Sequence, residues 1–66
     1  MIVKINGKSE TFDNGLNLTE LILGKGLVPD HIVVEHNLQI ISKDEWAGIT
    51  LKENDSVEIV SFVGGG

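Results

Sequence analysis

One stretch of this chain carries a full helical stripe, and strand-like runs stand on both sides of it. Leu18, Leu21 and Ile22 fall at i, i+3 and i+4, the spacing that lines one face of an α-helix. Asn17 can cap this segment, and Glu20 stands three residues on, in the position of a capping box. Leu16 can staple to Leu21 across the entry. Gly24 and Gly26 close the segment, one of them in the left-handed conformation that ends helices. A helix this short is marginal alone, so it must be held by packing.

What it packs on is legible before and after it. Ile2 to Ile5 reads as a strand, and Asn6-Gly7 is the dipeptide that best fills the two φ > 0 positions of a type I′ hairpin turn. A return strand is expected from about Lys8 to Phe12, with Phe12 turned to the core, before Asp13-Asn14-Gly15 breaks it. Val28-Pro29-Asp30 reads as a connector to a β-branched strand, Ile32 to His36. Asn37-Leu38 allows a turn into a short strand, Gln39 to Ile41. Ser42 and Glu45 form a second capping signal, predicting one short helical turn that tucks Trp46 against the core. A polar turn, Lys52 to Asp55, leads into a last strand, Val57 to Val63.

Two strands, a helix and further strands predict an α+β roll with one helix across a mixed sheet of four to five strands. The order fits the β-grasp pattern, in which the first and last strands lie side by side at the centre of the sheet. Residues 1–63 are expected to form this domain, and 64–66 a flexible glycine tail.

Sixty-six residues make one domain. A fold of this size buries only about 60% of its unfolded surface and holds a margin of about 3–5 kcal/mol. It can present a surface or an end more readily than it can wall a catalytic pocket, which weighs against a self-sufficient enzyme. Ten acids oppose five bases, all lysine, for a net charge of -5. With no arginine fork and no basic stripe, nucleic acid is excluded as a partner, and a basic protein surface is favoured. The chain has no cysteine, so disulfides, thiolate metal sites and cysteine nucleophiles are excluded. No apolar run approaches membrane-spanning length, and a cytoplasmic protein, monomeric alone, is expected.

Most of the polar residues read as structural. His31 and His36, five apart on a strand, would point to opposite faces and make a poor metal pair. Asp44-Glu45 and Glu53/Asp55 read as solvated charge in exposed turns. Gly24-Lys25-Gly26 comes at a helix end, the wrong polarity for an anion site.

The tail is different. Gly64-Gly65-Gly66 follow the last strand and are expected to put a carboxylate on a side-chain-free tether reaching roughly 10 Å. Such a tether can enter a slot too narrow for other residues; a frayed end or a cloning remnant has the same composition. Phe62 and Val63, apolar and beside the tail, are candidates for core packing, partner contact or both.

The segments Glu35 to Ile41, Asp44-Glu45-Trp46 and Asn54 to Val60, with the closing Gly64-Gly65-Gly66, resemble the ThiS family, the sulfur carriers of thiamine biosynthesis. The resemblance covers most of the chain and is strongest from Val33 onward. One departure is Ser42-Lys43, where the family usually shows Pro-Arg.

The resemblance implies a ubiquitin-like β-grasp and a carrier role rather than catalysis. A ThiF-like enzyme, using ATP and magnesium, would adenylate the carboxylate of Gly66. A cysteine-derived persulfide would then convert it to a thiocarboxylate, and thiazole synthase (ThiG) would take the sulfur into the thiazole ring. Gly64 and Gly65 would pass through the partner's channel. The residues agree: a carboxyl terminus is ionised near neutrality and a poor electrophile, and a chain without cysteine cannot carry sulfur as a persulfide. Three other readings stand beside this one: a molybdopterin-type sulfur carrier, a ubiquitin-like protein modifier, and a β-grasp interaction module with an inert tail.

Overall fold

The computed structural model describes residues 1–62; Val63, Gly64, Gly65 and Gly66, and with them the expected boundary between domain and tail, lie outside the described residues. Asn6 and Gly7 take φ values of 50° and 82°, as a type I′ turn requires. They join β1 (Ile2–Ile5) to β2 (Lys8–Thr11), with Ile5 opposite Lys8. β2 stops one residue short of the expected Phe12. The Phe12 N–H still donates to the Met1 carbonyl at 2.9 Å, and its ring packs half-buried against the core.

α1 (Leu18–Gly24) starts on the cap its sequence predicts. Asn17 Oδ1 accepts from the Glu20 N–H at 2.8 Å, and Glu20 Oε1 accepts from the Asn17 N–H at 3.0 Å. This reciprocal pair satisfies donors that the first turn cannot. At the other end Gly26 has φ 72°. Its N–H donates to Leu23 at 3.0 Å, and the Leu27 N–H donates back to Ile22 at 3.2 Å, the Schellman pattern.

The connector after α1 winds a 3₁₀ turn over Pro29–His31, opened by a proline whose fixed φ suits a first helical position. His31 therefore belongs to this turn and not, as expected, to a strand shared with His36. β3 (Ile32–His36) and β4 (Gln39–Ile41) follow with the expected bounds. The expected short helical turn near Trp46 forms as a 3₁₀ segment, Lys43–Gly48. Its cap differs. The Glu45 N–H donates to the Ser42 carbonyl, the i to i−3 bond of a 3₁₀ helix, so it is not free for the Ser42 hydroxyl. The hydroxyl donates instead to Glu45 Oε1 at 2.8 Å. β5 (Ser56–Ser61) closes the fold.

The five strands lie in the order β2-β1-β5-β3-β4, parallel between β1 and β5 and antiparallel elsewhere. The first and last strands are neighbours, as expected. α1 and the 3₁₀ segment cover one face. Leu18, Leu21, Ile22, Trp46 and Leu51 bury there against Val3, Ile5, Ile32, Val34 and Val57. Trp46 fills the core and satisfies its Nε1–H on the Ile41 carbonyl at 3.1 Å. Among the described residues no element covers the other face. No helix among them is long and apolar enough to cross a membrane.

Candidate functional site: the end of the central strand and its outer face

The alternation of β5 sets what this site presents. Val57 is fully buried and Ile59 half-buried on the helix side, so Glu58 and Val60 project to the uncovered face, and Phe62 continues their series. Phe62, one of the two expected partner contacts, is 59% exposed; Val63, the other, lies outside the described residues.

β5 is a firm base for whatever follows Phe62. Beyond the end of β1, the Asn6 side chain takes over the hydrogen bonding. Its Oδ1 accepts from the Ile59 N–H at 2.7 Å, and its Nδ2 donates to the Ile59 carbonyl at 3.3 Å. On the opposite flank the Phe62 N–H donates to the His31 carbonyl at 3.0 Å. Asn6 thus shapes the hairpin and also braces the strand that carries the tail, a role its turn dipeptide does not reveal.

Val33, Ile40, Val60 and Phe62 open onto the same face. Val33 lies opposite Val60, Ile40 opposite Glu35, and Glu35 opposite Glu58. Ile40 is 72% exposed and Val60 60%. Leu38, at the tip of the β3–β4 turn, is the most exposed of the large apolar residues among those described. Sequence reasoning missed Val33, Ile40 and Val60, because they align only once β3 and β5 are in register. The described ion pairs, Lys25–Glu10, Lys43–Asp30 and His36–Asp55, include neither Glu35 nor Glu58.

The start of β5 is locked by a second network. Asp55 accepts from Asn37 Nδ2 at 3.1 Å and from the Lys52 N–H at 3.0 Å, and His36 Nε2 lies 2.9 Å from its Oδ2. Asn37 Oδ1 in turn accepts from the Ser56 N–H at 2.8 Å. Partial burial acts to raise the Asp55 carboxyl, but these hydrogen bonds outweigh it and hold it below the ordinary carboxylate range. Asp55 is thus not the solvated charge expected of it. Glu53 is also engaged, accepting from the Ile2 N–H at 2.9 Å. Ser42 and Lys43 are satisfied within the chain, on Glu45 and Asp30. The Lys43 ammonium holds the exposed Asp30 carboxyl below its usual range.

A mixed sheet with parallel first and last strands, one helix across it and a last strand running into a glycine tail defines a ubiquitin-like β-grasp protein. Comparison with known proteins narrows the class. The ThiS family model matches residues 3–66. The crystal structure of the thiamine biosynthesis protein ThiS from Geobacter metallireducens superposes with a TM-score of 0.85 at 33% identity, each chain covering 100% of the other. The sulfur carrier protein ThiS of Bacillus subtilis is 34% identical over 67 residues, spanning 98% of this chain and 100% of that one. A thiazole synthase of Magnetococcus marinus is 33% identical over all 66 residues, which span only 20% of its own length. The chain belongs to the ThiS family.

Proposed function

We propose that this chain carries sulfur as a thiocarboxylate on Gly66 and delivers it for thiazole formation. The observation that carries the reading is the family match, which runs through the glycines to residue 66. It is supported by the braced end of β5, since a reactive end is best presented from a rigid element.

A ThiF-like enzyme activates the end. The Gly66 carboxylate attacks the α-phosphorus of ATP, whose charge that enzyme's magnesium offsets, and pyrophosphate leaves. The acyl-adenylate is the electrophile that a carboxylate is not. The outer sulfur of a cysteine persulfide then attacks the acyl carbon and AMP leaves, giving an acyl disulfide. A second thiolate of the sulfur-donating system cleaves its S–S bond, freeing the thiocarboxylate and ending as a disulfide with the donor cysteine. Gly64 and Gly65 are the narrow tether, and a side chain at Gly65 obstructs its passage.

Thiazole synthase is the acceptor in this reading. It is supported by the Magnetococcus marinus protein of that name, which contains a stretch similar to the whole of this chain. ATP as the activating substrate fits a cytoplasmic setting. The test is pyrophosphate release by the cognate adenylating enzyme. The wild-type chain releases one equivalent, whereas Gly65→Val and deletion of Gly66 release none while keeping the wild-type melting temperature. Release from the Gly66 deletion at the wild-type rate contradicts the assignment.

A further inference from the structure

The outer face of the sheet combines two features that a free domain does not need. Its apolar residues, Val33, Ile40, Val60 and Phe62, are open to solvent. Beside them, with Val33 and Val60 one step along the strands and Ile40 across from Glu35, two carboxylates stand directly opposite one another on neighbouring strands, Glu35 on β3 and Glu58 on β5. Like charges in that position repel and destabilise the pair. Lys4, the lysine on this face of β1, is in register with Ser56 and forms no ion pair with either acid among the described residues.

We infer that this face docks the thiazole synthase, and that Glu35 and Glu58 together grip a cationic side chain that the synthase supplies at the centre of the contact. The choice of synthase rests on the function proposed above. The chemistry comes from the face itself. Closing an apolar surface over two unpaired carboxylates is prohibitive unless the partner brings a positive charge. With one guanidinium or ammonium between them, the repulsion becomes attraction on both sides, and contact of the partner with Val33, Val60 and Ile40 beside the pair shields it from water.

The position is also right. Phe62, Val60 and Glu58 lie on one face of one strand at alternate positions, so Glu58 is roughly 13 Å below Phe62. A partner that takes the tail beyond Phe62 therefore lies directly over this row. The net charge of -5 steers the chain toward the same kind of partner.

Calorimetric titration of the unmodified chain into the cognate thiazole synthase tests this. Glu35→Gln/Glu58→Gln weakens binding about tenfold, and Glu58→Lys weakens it further. Wild-type affinity falls between ~50 and ~500 mM NaCl, whereas the double glutamine variant loses most of that dependence. Val60→Ser also weakens binding about tenfold by removing apolar contact beside the carboxylate pair. The double glutamine variant melts no lower than wild type, because it relieves a repulsion, so its loss of affinity is not a loss of fold.

No measurable binding of the wild-type chain overturns the inference, as does a double variant with wild-type affinity and salt dependence. Variants that bind the synthase normally but are no longer adenylated give the face to the activating enzyme instead and also overturn it. A wild-type chain that never forms a thiocarboxylate contradicts the parent reading, and this binding measurement is independent of that outcome.

Discussion

Leu38 holds a conformation that leucine rarely accepts. The β3–β4 hairpin turns on Asn37 and Leu38 with φ values of 49° and 72°. Asparagine tolerates the left-handed region, whereas a residue of leucine's kind pays about 1–2 kcal/mol there. Its side chain is 89% exposed, so little packing offsets the strain. Leu38→Gly should raise stability by about 0.5–1 kcal/mol in urea denaturation, the gain in φ freedom exceeding glycine's larger unfolded-state entropy. Asp55 acts in the opposite sense. Its folded carboxyl titrates below the unfolded value, so its contribution is complete above the unfolded carboxylate pKa and is lost as pH falls through the lower, folded value. Asp55→Asn should cost about 1 kcal/mol at neutral pH, and thermal melts from about pH 5 downward should show the wild type losing stability more steeply than the variant. Neither residue's part was readable from the chain. A left-handed leucine carries no sequence mark, and Asp55 meets His36 and Asn37 only because β5 returns beside β3.

At the scale of elements, local chemistry was legible and long-range register was not. Asn6-Gly7, the Asn17–Glu20 box and the Gly26 terminus each act within a few residues, and each formed as read. The β-branched run of β3 and the short β4 kept their expected bounds. The 3₁₀ character of Lys43–Gly48 escaped, because Ser42 to Glu45 is the same signal for an α-turn and a 3₁₀ turn. The outer face escaped for a different reason: Glu35 and Glu58 stand 23 residues apart in sequence and oppose one another only through the β3–β5 register. α1 is where element chemistry weighs most on stability. Asn17→Ala removes the cap and should cost about 1 kcal/mol. Leu18→Ala, at a fully buried position, should cost about 3 kcal/mol. Against a total of about 3–5 kcal/mol, the second leaves a margin of only about 0–2 kcal/mol, and circular dichroism on heating will show a melt well below that of the wild type.

For the whole molecule, the fold matters as a mount. The helix, the 3₁₀ segment and Trp46 take one face of the sheet. This leaves the central strand free to offer its other face, and its end to lead into the glycines. The proposed thiocarboxylate on Gly66 agrees with a chain that has no cysteine to hold a persulfide. Intact mass spectrometry of the chain after incubation with adenylating enzyme, ATP and a persulfide donor tests this most directly. The wild type should gain the mass of one oxygen replaced by sulfur, and the chain lacking Gly66 should not. An unchanged mass, or transfer of the chain onto lysines of other proteins, would contradict the thiocarboxylate.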